Sequence, residues 1–149
     1  MFPASHRLKS LAVFRRLHQF RAVFRHAGFM MLAVPVPDYP DKPEVTERLL
    51  SAPVQFGVVI SKKVHKSAVV RNRIRRRWRE VIRRDVLPLL PTEGAVTVKK
   101  RKKPCRAFIY IVRQQAVSMN FEVFRQAICQ SALEVFEKVD VKSTEGLQT

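Results

Sequence analysis

Hydrophobic positions along the chain follow two rhythms. In "VQFGVVISKK" (54–63) Val54, Phe56, Val58 and Ile60 fall on one side of an extended chain and Gln55, Gly57, Val59 and Ser61 on the other, which predicts a strand with two different faces. "GFMMLAVPV" (28–36) and "RAFIYIVR" (106–113) are short apolar runs of strand length. Elsewhere the period is helical. Phe121, Phe124, Ile128, Ala132, Val135 and Phe136 recur at helical spacing between Asn120 and Val139, with Asn120 or Ser118 as the cap. Leu8, Leu11, Phe14 and Leu17, with Arg and Lys between them, predict a short amphipathic helix over residues 8–20. The proline-rich "PDYPDKPEVTERLLSAP" (37–53) reads as a loop with room for one helical turn, and "PTEGAVTVKKRKKPC" (91–105) as a turn followed by a mobile basic loop.

One segment carries a helical rhythm and a heavy charge together. "VVRNRIRRRWREVIRR" (69–84) places eight arginines and one glutamate on sixteen positions. At about 100° per residue, Val70, Ile74, Trp78, Val81 and Ile82 gather within roughly one third of the helix circumference, a stripe suited to covering a sheet. Asn72, Arg76, Arg79 and Arg83 then point away from that stripe, Arg73, Arg77 and Arg84 line one flank, and Arg71 and Arg75 lie near the other. Trp78 belongs to the stripe and is expected in the core. Glu80 is the only acid in this helix available to neutralise the arginines.

Composition sharpens the picture. A chain of 149 residues most economically makes one domain, expected over residues 1–140 with a polar, frayed tail at 141–149. The formal net charge is +17, and such an excess costs self-repulsion that a polyanion relieves. Arginine favours phosphate among polyanions, because its planar fork grips two oxygens at once. A membrane surface fits poorly, since the apolar stripe is needed for the sheet. No apolar stretch approaches the roughly 20 residues that span a bilayer. The N-terminus lacks the uninterrupted apolar core of a secretory signal, and Cys105 and Cys129 stand apart without a paired spacing, so a reducing cytoplasm is the expected setting.

Catalytic groupings do not stand out. There are no paired carboxylates, no HExxH, no Cys/His metal spacing and no Ser/His/Asp arrangement, and His6, His18, His26 and His65 are scattered. Nor is there a leucine heptad after the basic segment or a paired helix-turn-helix before it, which sets aside two common DNA-binding designs.

Over "FGVVISKKVHKSAVVRNRIRRRWREVIRR" the chain resembles the protein subunit of bacterial ribonuclease P. The shared pattern is an apolar strand ending in Ser61-Lys62-Lys63, a short linker, and Arg71-Asn72-Arg73 opening a basic helix that continues to Glu80. Arg7, Leu8 and Phe14 match the family's entry into its first helix, and Arg113 the basic end of its last strand. Three positions depart from the family pattern: His18 replaces a second aromatic ring, Gln19-Phe20 a glycine, and Leu32 a tyrosine.

The resemblance implies an α+β fold, a two-layer α/β sandwich whose mostly antiparallel sheet of about four strands contains a left-handed βαβ crossover, related to the second domain of ribosomal protein S5. It also implies a non-catalytic subunit of an RNA enzyme that removes the 5′ leader from precursor tRNA, with Mg²⁺ bound mainly by the RNA and none by the protein alone. Lys62, Lys63, Arg71, Asn72, Arg73, Arg75, Arg76, Arg77 and Arg79 would then hold the catalytic RNA. Phe14, His18, Met30, Leu32 and Ser61 would receive the single-stranded leader of precursor tRNA, with no role for DNA or membrane. The rival reading is another kind of non-catalytic RNA-binding protein, ribosomal or RNA-chaperone, built on the same basic helix.

Overall fold

The computed structural model describes residues 2–37, 39–91, 94–99 and 103–137. The tail at 141–149 and residues 100–102 of the basic loop lie outside them.

Alternation along the strands builds a sheet with two apolar faces. Strands β1 (Ala22–Arg25), β2 (Phe29–Pro35), β3 (Gln55–Val59) and β5 (Pro104–Val112) run in the order β1-β2-β5-β3, and the two-residue β4 (Val96–Thr97) pairs with β5. β1, β2 and β4 pair antiparallel, whereas β3 lies parallel to β5. A parallel neighbour cannot be reached by a hairpin. The chain between β3 and β5 is therefore the crossover, and it carries the arginine helix α3 (Ala68–Val81).

One sheet face packs against α3 and against α4 (Phe121–Val135). Phe29, Met31, Phe56, Phe108, Tyr110 and Val112 from the strands meet Ile74, Trp78 and Val81 of α3 and Phe124, Ile128 and Ala132 of α4. Trp78 sits in this core as expected, its ring edge-on to Tyr110 at 5.6 Å and tilted on Phe2 at 5.9 Å. Inside the same layer Ser131 Oγ donates its single proton to the Ile128 carbonyl at 2.6 Å, so the Tyr110 hydroxyl is the donor in its 3.0 Å bond to Ser131.

The opposite face is covered only in part. Leu8, Val13, Leu32, Val34, Ala107 and Ile109 form a second, smaller core there, with Phe14, Met30, Val59 and Ile111 half-buried at its margin.

Four expectations need correction. Residues 8–20 do not make one helix. Ser10 caps a four-residue α1 (Leu11–Phe14) through the Val13 amide, Leu8 is drawn out of it by pairing with Phe56, and Leu17–Gln19 form a separate 3-10 turn. Leu11, expected on the apolar side, is 67% exposed. The segment at 37–53 holds more than one turn: α2 spans Pro43–Ser51, with proline at its start, where no amide hydrogen bond is lost. The segment from 91 to 105 is not simply a mobile loop. Val96 and Val98 are buried, and Val98 bridges to Phe136, so the basic stretch is tethered at its base. Finally, Phe121 lies at the edge of the α4 stripe, exposed beneath the Arg77 guanidinium, not within the core.

Candidate nucleic-acid interface

The turn between β3 and α3 is organised by its smaller side chains. The Val64 amide donates to the Ser61 carbonyl at 3.0 Å and the Val64 side chain is buried, which turns Ser61, Lys62 and Lys63 outward. His65 Nδ1 accepts from the Ser67 amide at 3.0 Å, and Ser67 Oγ accepts from the Val70 amide at 3.4 Å, starting α3. Arg71 Nη1 donates back to the His65 carbonyl at 3.2 Å and so holds the turn against the first helical residues.

Past this cap, α3 buries Ile74, Trp78 and Val81, as the wheel predicts, and leaves Arg73, Arg76 and Arg77 exposed. Their partners divide them. Arg83 donates to both oxygens of Glu80, at 2.6 and 3.3 Å, and Arg84 lies 3.8 Å from the same carboxylate. The hydrogen bond from Arg83, followed by the charges of Arg83 and Arg84, holds Glu80 below the usual carboxylate range. On α4, Arg125 bonds Asp85 at 3.1 Å and Glu122 at 2.6 Å. The acids near this surface are thus spent at the C-terminal end of α3 and beyond.

The N-terminal part of α3 is different. Arg73 and Arg76 are exposed, with no acidic partner among the described residues. Arg75 Nη1 donates to Asn72 Oδ1 at 2.6 Å, and the Arg77 guanidinium lies 5.6 Å from the Phe121 ring centroid, a cation–π distance. These contacts orient the two guanidiniums without neutralising them. Arg79 departs from the wheel, which pointed it at solvent: it is half-buried, because the N-terminal segment lies over that part of α3.

On the other sheet face the register sets out rungs. Met30, Ile111 and Val59 align across β2, β5 and β3, and Leu32, Ile109 and Gly57 form the next rung. The first rung is half-exposed. Beside it the Arg113 backbone N–H donates a hydrogen bond to the Gly28 carbonyl at 2.8 Å, just past the end of β5, and its Nη2 lies 4.0 Å from Met30 Sδ. The second rung is covered by α1, with Leu32 only 3% exposed. Of the five residues assigned to the leader, Met30 belongs to the half-exposed rung, Phe14 lies half-buried over Gly57 of the next, Leu32 is buried in that next rung, and Ser61 and His18 are at the surface. Sequence reasoning passed over Val59 and Ile111, which complete that rung. Strand alternation marks their face, but only the register brings them beside Met30.

Apart from the Asn72 amide oxygen, which accepts from Arg75, and the Glu80 carboxylate, the helix face offers N–H donors. Mg²⁺ takes oxygen ligands and favours carboxylates, and Glu80, the acid of this face, is held by Arg83 and Arg84. The residues present do not suit a Mg²⁺ site on α3.

Fold and surface together define a basic α+β protein with a cationic helix on one side of its sheet and a half-open apolar face on the other. A family model described as Ribonuclease P matches residues 2–136. A ribonuclease P protein component from Microcystis aeruginosa is 35% identical over 133 residues, covering 86% of this chain and 88% of that one. Another, from a Synechococcus strain, is 40% identical over 91 residues, which is 61% of this chain and 59% of the relative. The fold is shared with the solved RNase P protein of Staphylococcus aureus, at a TM-score of 0.56 and 20% identity over 89% of this chain and 98% of that one. It is shared also with the protein from Thermotoga maritima, at 0.53 and 16% identity over 83% and 92%. The chain belongs to the ribonuclease P protein family, whose members are protein components of a ribonucleoprotein enzyme.

Proposed function

We propose that this chain grips the catalytic RNA of ribonuclease P through Lys62, Lys63 and the N-terminal arginines of α3, and takes the 5′ leader of precursor tRNA on the half-open sheet face. The observation that carries the proposal is the partition of charge. Among the described residues, the nearby carboxylates are taken up by Arg83, Arg84 and Arg125, and Arg73 and Arg76 have no acidic partner, which leaves them available to an outside anion. A single strand offers both base faces and phosphates. Met30, Val59, Ile111 and Phe14 supply apolar contact, and Arg113, Ser61 and Lys62 supply donors around it. Such a surface binds with little sequence preference, which suits an enzyme meeting many leaders.

The protein contributes positioning and charge, with the RNA carrying the chemistry and any Mg²⁺ it needs. Fixed cations between two RNAs offset part of the repulsion that dissolved Mg²⁺ would otherwise screen. The Mg²⁺ concentration needed for cleavage is therefore lower with the protein than without it. We place this work in the cytoplasm, where tRNA precursors are processed. Among the described residues no helix is long and apolar enough to cross a membrane.

The test is 5′-leader cleavage of a precursor tRNA by a bacterial ribonuclease P RNA at low Mg²⁺, with and without this chain. Protein-dependent cleavage at the mature 5′ end supports the proposal. Tight RNA binding with no stimulation would leave only a basic RNA-binding domain.

A further inference from the structure

Asn120 Oδ1 accepts from the Glu122 amide at 2.8 Å and starts α4, so Phe121 stands on the first turn of that helix. Helical spacing predicts it on the buried stripe. Its ring belongs to neither apolar core, however, and the residue is 36% exposed. The Arg77 guanidinium lies over it, 5.6 Å from the ring centroid. The ring also borders a groove of about 220 Å³ between α3 and α4, whose charged lining includes Arg84, Asp85 and Arg125.

Its neighbours separate this ring from a stray surface aromatic. Arg77 is exposed and, among the described residues, has no carboxylate partner, so the ring adjoins the same unneutralised stretch of α3 as Arg73 and Arg76. A cation–π contact draws on the ring's electrons and forms no hydrogen bond, so the N–H donors of Arg77 stay available to phosphate oxygens. Exposed rings beside such cations are how proteins hold unpaired bases: the cations follow the backbone and the ring takes a base face. The guanidinium itself is a second flat surface on which a base can stack. A base is apolar on its faces and polar at its edge. The groove's charged lining suits that edge better than it suits an apolar side chain of a protein partner.

We propose that Phe121 and Arg77 form a stacking platform for one unpaired base of the RNA held by α3. The base lies on the Phe121 ring with its edge toward the groove, and a flanking phosphate meets Arg77. The RNA surface thus extends from α3 onto the start of α4. This rests on the function proposed above in one respect, that α3 is the RNA-binding helix.

The experiment measures binding of a bacterial ribonuclease P RNA to the full chain at several salt concentrations, for the wild type, Phe121→Ala, Phe121→Tyr and Val123→Ala, the last an exposed neighbour on α4. Phe121→Ala is expected to weaken binding about 5- to 100-fold with the log–log salt slope unchanged, because a base face carries no charge. Phe121→Tyr and Val123→Ala should bind like wild type. Wild-type affinity in Phe121→Ala would overturn the platform. A slope reduced by about 0.7–0.9 in that variant would overturn it too, because the ring would then only steer the phosphate contact of Arg77. Should Phe121→Ala fail to fold, Phe121→Leu takes its place, since it keeps an apolar side chain and loses the π-face.

A second arm reads the site without the catalytic RNA. Phe121→Trp is titrated with a short single-stranded adenylate and with an abasic ribose-phosphate chain of equal length, and its fluorescence is compared with that of the wild type, whose Trp78 is buried. Extra quenching by the adenylate alone supports stacking, and equal quenching by both chains, or by neither, sinks it. Leader cleavage by the wild-type protein with the catalytic RNA is measured alongside. Base-specific quenching in a protein that never stimulates cleavage keeps the platform and removes the function. Stimulation without base-specific quenching keeps the function and removes the platform.

Discussion

Phe14 reaches so far over Gly57 that a Cβ added to the glycine would lie 2.9 Å from the ring's Cζ. Leu8 Cδ2 would lie 3.2 Å away on another side. The absence of a side chain at Gly57 thus lets α1 settle on the sheet and places the Phe14 ring at the rim of the half-open face. Gly57→Ala should lift that ring and cost about 1–3 kcal/mol, as overpacking does. Leader affinity should fall while affinity for the catalytic RNA is retained. Binding of precursor tRNA with and without a leader, measured against a melt of the same variant, checks both parts.

The division of the arginines predicts a division of effects. Arg73→Ala and Arg76→Ala together should lower RNA affinity and reduce the log–log salt slope by about two phosphates' worth, roughly 0.7–0.9 each. Stability should change by less than about 0.5 kcal/mol, since both side chains are exposed. Arg83→Ala should leave the slope nearly unchanged, because Glu80 already occupies that guanidinium. Salt-dependent binding isotherms separate the two classes.

Ile74 is the reverse case. It is 5% exposed within the helix-side core. Ile74→Ala should cost about 2–5 kcal/mol. Ile74→Asp should abolish cooperative folding, because it buries an unpaired charge among apolar side chains. A cooperative melt of the aspartate variant would show that α3 does not depend on this contact.

Tyr110 carries a pH dependence whose sign follows from burial. Desolvation pushes its phenol well above the usual tyrosine range. The unfolded chain ionises its tyrosine near pH 10, and the folded chain does not. The contribution of Tyr110 is therefore complete below that pH and is lost as the pH climbs beyond it. Tyr110→Phe should cost about 0.5–1.5 kcal/mol at neutral pH, the net worth of one hydrogen bond. It should also lessen the loss of stability at alkaline pH. Denaturant midpoints from pH 8 to about pH 11 would show whether the two curves converge.

How much of this was legible beforehand differs from element to element. α3 was, because a helix repeats locally and its apolar stripe lies within neighbouring turns. The two faces of β3 were legible for the same reason. β1 was not, since Ala22–Arg25 is short, half-buried and irregular in its pairing with β2. α1 was overextended because three-residue spacing looks helical even where Leu8 leaves the helix to pair with a strand.

Of the site, the cationic helix could be read directly, and the pairing of Arg83 with Glu80 lies within reach of helical spacing. That Arg73 and Arg76 meet no acid among the described residues could not, as it depends on where distant acids end up in the fold. Local chemistry along the chain determined that Ile74, Trp78 and Val81 are buried, which helix carries the charge and which strand has two faces. Tertiary structure alone decided that β3 lies parallel to β5, that Met30, Val59 and Ile111 share a rung, and that the Phe2 ring lies on Trp78. Those relationships join positions far apart in sequence, and the packing of sheet and helices that enforces them has no local periodicity to announce it.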